Sequence, residues 1–187
     1  MAKEIEIKLR VRDPRTARRA LRALGFRVCK PREFEHNTLF DTAGGSLRRR
    51  GLMLRLRTTR GQALLTFKSR STPSAFYKIR REVETHLSSP TAAGEILLRL
   101  GFSPSFRYEK YRTHFARRHE PGEVALDETP IGTFLELEGA PAWIRRVARA
   151  LGRTPREFIT GTYAELYQGW RRRNRAPARA MVFRHER

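Results

Sequence analysis

The opening run "KEIEIKLRV" alternates: Ile5, Ile7 and Leu9 fall on one side, Glu4, Glu6 and Lys8 on the other. A period of two marks a β-strand with one dry face and one wet face. Similar runs recur at 34–42, 52–59, 62–69, 75–87, 105–117, 122–129 and 132–139, which with residues 3–11 predict eight strands. Helical spacing fills the gaps. Asp13 can cap and Pro14 can start a helix striped by Ala17, Leu21 and Leu24 and ended by Gly25. Further helices are predicted at 90–100, at Pro141–Leu151, and from Gly161 to Arg173. Arg60-Gly61 reads as a short hairpin joint, and "TAGGS" (42–46) as a loop without the following Lys of a phosphate-binding loop. Strands dominate and helices sit between them, an antiparallel α+β pattern and not alternating βαβ.

The wet faces are unusual. Arg55 and Arg57 share one face, Thr66 goes with Lys68, and Lys110 with Arg112. Lys78, Arg80, Glu82 and Glu84 align on another strand, Glu136 and Glu138 on the last, and Asp127 lies on the side of Ala125. Any one such pair is ordinary on a solvated sheet. Three strands each carrying Glu-x-Glu are not, because like charges two apart repel. Seven carboxylates facing several fixed cations make sense around one closed cavity. Dense oxygen ligands suit a hard divalent metal, and clustered Arg and Lys suit phosphate.

Composition sharpens this. Forty Lys+Arg against 19 Asp+Glu give a formal charge of +21, which attracts polyanions. The end, "RRRNRAPARAMVFRHER" (171–187), holds seven of the arginines and reads as a solvated basic tail dispensable for chemistry, with "MVF" (181–183) an apolar patch able to dock back onto the barrel. Only six of the 40 cations are lysine, yet three fall among Lys8, Arg55, Arg57, Lys68, Lys110 and Arg112, where chance gives about one. Those positions favour a compact point charge. Cys29 stands alone, so internal disulfides and cysteine zinc sites are excluded. No apolar run approaches a membrane span, and the expectation is a cytoplasmic protein. His36, His86, His114, His119 and His185 show no ligand spacing and are assigned structural or surface roles.

Taken in order, Glu4-x-Glu6-x-Lys8, "HNTLFDT", "LRLR", "TFK", "RREVE", "EKYR", "LD…G…LELE" and a late "TYAEL" resemble the CYTH family of triphosphate tunnel metalloenzymes. The likeness covers residues 3 to about 170, so the expected organisation is a tunnel domain (1–170) and the tail (171–187). It implies an eight-stranded antiparallel β-barrel, polar inside, with helices packed outside. By the same resemblance Lys8, Arg55, Arg57, Lys68, Arg80, Lys110 and Arg112 grip a triphosphate. Glu4, Glu6, Asp127, Glu136 and Glu138 hold Mg²⁺ or Mn²⁺, two per site, and Lys110, Arg112, Glu82 and Glu84 serve catalysis. Tyr163 in "TYAEL" falls on the closing helix and is assigned to packing.

Three functions are weighed. The first is a metal-dependent hydrolase of inorganic or organic triphosphates, such as nucleoside or thiamine triphosphate. The second is a class IV adenylate cyclase, which makes cyclic AMP and pyrophosphate on the same fold. The third, a polyphosphate or nucleic-acid binding module, has no use for seven carboxylates that repel phosphate. The expected partner is therefore a small-molecule triphosphate, with no membrane and only weak non-specific nucleic-acid contact through the tail. The chain is expected to act as a monomer or homodimer.

Overall fold

The computed structural model describes residues 2–60, 62–177 and 180–184; the Gly61 hairpin joint and His185 lie outside them. The strands are β1 (Ala2–Val11), β2 (Arg27–Thr42), β3 (Met53–Thr59), β4 (Gln62–Lys68), β5 (Lys78–Leu87), β6 (Phe102–Ala116), β7 (Glu123–Thr129) and β8 (Gly132–Glu138). They form a closed antiparallel barrel in the order β1-β5-β4-β3-β2-β6-β7-β8. β1 makes the closure: Ala2 to Glu6 pair with β5, while Glu6 to Val11 pair with β8. A closed barrel leaves no unpaired edge and sends alternate side chains inward. The α+β barrel expected from the sequence is therefore the fold.

Helices cover the apolar outside. In α1 (Pro14–Ala23), Asp13 caps by accepting from the Thr16 N–H at 2.8 Å, and Ala17 and Leu21 face the barrel. α4 (Pro141–Ala150) adds Trp143, Ile144, Val147 and Ala148. Both helices share one core with Ile7, Leu9, Val124, Leu126, Leu135 and Leu137 of β1, β7 and β8. A side chain at Gly122 would stand 2.4 Å from the Trp143 ring, so that close approach needs glycine. α3 (Pro90–Arg99) lays Ala93 and Leu97 over Leu54, Leu56, Ala63 and Leu65 of β3 and β4. Among the described residues, no helix is long and apolar enough to cross a membrane.

Several boundaries differ from expectation. β2 starts at Arg27, not at 34; its Pro31 lies where the ladder with β6 shifts register, so the missing N–H interrupts no pair there. The "TAGGS" loop leads directly into a short helix, α2 (Ser46–Arg49), tied down by Asp41. That carboxylate accepts from the Leu47 N–H at 2.8 Å and the Arg48 N–H at 3.0 Å. β5 begins at Lys78 and not at 75, and β6 begins at Phe102 and not at 105.

α5 (Tyr163–Arg173) ends at Arg173, where the sequence places it, and the chain then returns to β6 through the apolar 181–183. The Met181 carbonyl accepts from the Glu109 N–H at 2.8 Å, and the Met181 N–H donates to the Arg107 carbonyl at 2.9 Å. Met181 is fully buried among Tyr108, Ile131, Phe134, Tyr163 and Tyr167. The Phe183 N–H donates to the Glu109 carboxylate at 2.9 Å, and its ring packs on Tyr111. Met181→Ala should lower unfolding free energy by about 2–4 kcal/mol, as for other buried Met and Leu truncations. An unchanged denaturant midpoint would contradict this docking.

Candidate active site

The inward faces enclose a cavity of about 620 Å³ bordered by Glu4, Glu6, Lys8, Arg55, Arg57, Lys68, Glu82, Glu84, Lys110, Arg112, Glu136 and Glu138. These twelve sequence candidates therefore meet in one place. β1, β5 and β8 bring the Glu-x-Glu pairs together, because Glu6 lies opposite Glu138 and Glu82 opposite Ala2. At one end the interior is filled: Phe134, Tyr108 and the α5 residue Tyr163 pack there with Met181.

Each cation is matched to an anion. Lys8 reaches Glu6 at 2.9 Å and Glu136 at 3.2 Å, and Lys78 reaches Glu6 at 2.7 Å. Lys68 sits between Glu4 (2.6 Å) and Glu82 (3.1 Å). Arg55 donates to Thr66 at 3.1 Å and to Glu84 at 3.4 Å. Arg57 pairs with Glu35 at 3.3 Å and donates to the Asn37 amide oxygen at 3.1 Å. Arg112 forks onto Asp127 through two 2.6 Å bonds and also touches Glu136.

Two of the expected residues, Asp127 and Arg80, do not border the cavity. Asp127 is fully buried behind the cavity wall. Its oxygens accept from Arg112, from Lys110 at 2.9 Å and from the Tyr163 hydroxyl at 2.6 Å, so in this structure it anchors the cations beside it. Arg80, opposite Glu4 in the β1–β5 ladder, does not border the cavity, and its buried Nε has no partner among the described residues.

The sequence reading missed Glu35 of β2, which is buried between Arg57 and Lys110. Tyr163, assigned to packing, does pack and also borders the cavity, with the Lys8 and Lys110 ammonium groups 5.3 and 5.1 Å from its ring centre. Burial opposes ionisation of Glu35, but Lys110, Arg57 and Arg112 outweigh it and hold the carboxyl far below the usual range. A depressed folded value means that its stabilisation exists above the ordinary carboxylate range and is lost as pH falls. Glu35→Gln should cost about 3 kcal/mol or more at neutral pH, with the deficit shrinking in acid. Urea unfolding at both pH values checks this; a pH-independent deficit would contradict it.

The residual imbalance is informative. Burial and then neighbouring cations disfavour the charged forms of Arg57 (beside Arg55) and Lys78 (beside Lys8). Burial, helped by Glu4, raises both Glu82 and Glu138 to about 7 against the pull of Lys68. Burial and like-charged neighbours thus work against the charged forms of Arg57, Lys78 and Glu82 even in their ion pairs, and Glu138 has no ion-pair partner among the described residues. Glu4, Glu82 and Glu138 are hard oxygen donors with surplus negative charge, and a divalent cation fits them chemically. Among the described residues no three such donors converge as a ready cage. Lys68 stands between two of them.

Comparison with known proteins agrees with this architecture. A Methanocaldococcus jannaschii protein named "Putative adenylate cyclase" is 28% identical over 136 residues, spanning 72% of this chain and 75% of its own. A Pyrococcus horikoshii structure superposes with a TM-score of 0.76 at 21% identity, covering 89% of this chain and 98% of that one. A Hippeastrum "putative adenylyl cyclase", said to reveal a dominant triphosphatase activity, matches with a TM-score of 0.65 at 20% identity, covering 89% and 95%. Likeness at that identity establishes the fold alone. The family model described as the CYTH domain matches residues 2–151, and the chain belongs to the CYTH family.

Proposed function

We propose that this protein hydrolyses triphosphates within the barrel, with a divalent cation. The observation that carries the proposal is one cavity lined both by Lys8, Arg55, Arg57, Lys68, Lys110 and Arg112 and by the Glu-x-Glu carboxylates of β1, β5 and β8. A metal–triphosphate complex supplies both signs together. Lys8, Arg55, Arg57, Lys68, Lys110 and Arg112 grip the phosphate oxygens. Arg112, its fork fixed by Asp127, neutralises charge on the transferred phosphoryl group. Glu82 and Glu84 stand on the acidic side, where a carboxylate can take the proton that water gives up. A cation held by Glu4 and Glu138, with Glu6 and Glu136 adjoining, would add Lewis-acid neutralisation at the phosphate oxygens.

The second reading is adenylate cyclase, the name carried by the Methanocaldococcus relative. The two differ in the nucleophile, water or a ribose hydroxyl, and so in their products. The protein should be incubated with inorganic triphosphate, ATP or thiamine triphosphate, plus Mg²⁺ or Mn²⁺. Hydrolysis predicts orthophosphate and a diphosphate. Pyrophosphate with a cyclic nucleotide from ATP would replace the first reading with the second.

A further inference from the structure

Eight Lys or Arg side chains and eight Glu side chains border the cavity, so its lining is neutral by count. The chain's formal +21 therefore falls on residues outside it. That excess is concentrated. α1 ("PRTARRALRA") and α4 ("PAWIRRVARA") together hold seven arginines and no Asp or Glu. They lie on one side of the barrel, α1 against β1 and β7 and α4 against β1. With Ala17, Leu21, Ile144 and Val147 packed inward, Arg15, Arg19 and Arg22 of α1 and Arg145, Arg146 and Arg149 of α4 stay exposed.

Within each helix these positions are neighbours at a spacing of three or four, where like charges repel. A solvated helix face relieves such repulsion with carboxylates, as Glu95 does for Arg99 at 2.8 Å on α3. Here relief is partial. Glu120 reaches Arg146 at 3.0 Å, Glu128 reaches Arg18 at 3.2 Å, and Arg145 donates to the Tyr77 hydroxyl at 2.8 Å. Arg15, Arg19, Arg22, Arg145 and Arg149 have no carboxylate partner among the described residues. The apolar faces of both helices are spent on the barrel, and none of the large exposed apolar side chains lies on either. A lipid surface finds nothing there to insert, and a single strand finds no aromatic ring to stack on. The phosphates of a duplex need neither, and a guanidinium fork matches their oxygens. From Arg15 to Arg22 the helix rises about 10 Å, a length over which a duplex carries about six phosphates.

We propose that the face formed by α1 and α4 binds the phosphate backbone of duplex nucleic acid, independently of base sequence and apart from the cavity. Fluorescence anisotropy with a labelled duplex of about 20 base pairs tests this on the full chain across a range of salt. Wild type should bind with a Kd of about 1 μM near 0.1 M salt, and log K should fall linearly with log salt. Arg15→Gln, Arg19→Gln and Arg22→Gln combined should weaken binding about tenfold or more and flatten that slope by about 2.7, or 0.9 per lost contact. Arg145→Gln with Arg149→Gln should flatten it by about 1.8, a second reading that does not depend on α1. Arg48→Gln, Arg49→Gln and Arg50→Gln at α2, on the β2–β3 side of the ring, remove as much charge as the α1 variant. They should change affinity less than about threefold, since screening limits a distant charge. Loss at α2 equal to that at α1 would mean that net charge alone attracts the duplex, and overturns the proposal. Wild type that does not bind, or α1 and α4 variants that bind as wild type does, overturns it as well. Phosphatidylserine vesicles at equal negative charge should displace the duplex poorly. Displacement as effective as by unlabelled duplex would overturn the choice of nucleic acid.

Discussion

Replacing Arg112 with alanine is expected to lower kcat on a triphosphate about a thousandfold with the barrel still folded. A positioned guanidinium acting on a transferred phosphoryl group is worth about 10³ or more, because it neutralises charge that exists only in the transition state. Arg112 is built for that task. Two 2.6 Å bonds to Asp127 fix its plane, and Asp127 is itself fixed by Lys110 and Tyr163. Arg112→Lys keeps the charge but not the fork, and should recover only a small part of the rate. Asp127→Asn should also impair kcat, although Asp127 does not border the cavity, since it frees the side chains it holds. Steady-state kinetics beside circular dichroism check the set. A drop confined to KM would mean that Arg112 only binds substrate.

Glu138→Ala should reduce turnover about a hundredfold or more and yet stabilise the metal-free protein at pH 8. Among the described residues Glu138 makes no hydrogen bond or ion pair, so its removal deletes an oxygen donor and no packing partner. Its carboxyl is raised from 4.5 to about 7, first by burial and then by Glu4. The folded state therefore holds a proton that the unfolded state has lost between these values, and stability falls as pH rises through that window. Removing the group should lift the thermal midpoint above pH 7 in chelator and leave it unchanged below pH 4.5. Glu6→Ala should behave oppositely. Lys8 and Lys78 both lean on Glu6, and its loss strands two buried ammonium groups. A variant at Glu138 that loses stability at pH 8 would contradict the repulsion described for this carboxylate.

What was legible in the sequence is what local period encodes. Alternation in "EIEIKLRV", "LRLR" and "LELE" placed the charged residues on one face of each strand, and those faces do meet inside a barrel. Alternation gives only the face, however, and not how far along the barrel a residue sits or what stands beside it. Asp127 shares the inward parity of Ala125, but it lies behind the wall and binds Lys110, Arg112 and Tyr163, contacts that come from β6 and α5. Glu35 fell inside the predicted strand but was missed because its cationic partners lie on β3 and β6. A signal did exist: Glu33 and Glu35 alternate with Phe34 in "REFEHN". Met181 was legible as part of the apolar "MVF" among arginines, but its partners on β6 and α5 were not.

The central claim is that water attacks the terminal phosphorus of a triphosphate held in the barrel, with a divalent cation. The most direct measurement is one turnover of ATP in ¹⁸O-labelled water with Mg²⁺ or Mn²⁺, followed by mass analysis of the products. The account predicts one labelled oxygen in the released orthophosphate, none in ADP, and no turnover in excess chelator. Label in ADP, an unlabelled cyclic nucleotide with pyrophosphate, or full turnover in chelator would contradict it.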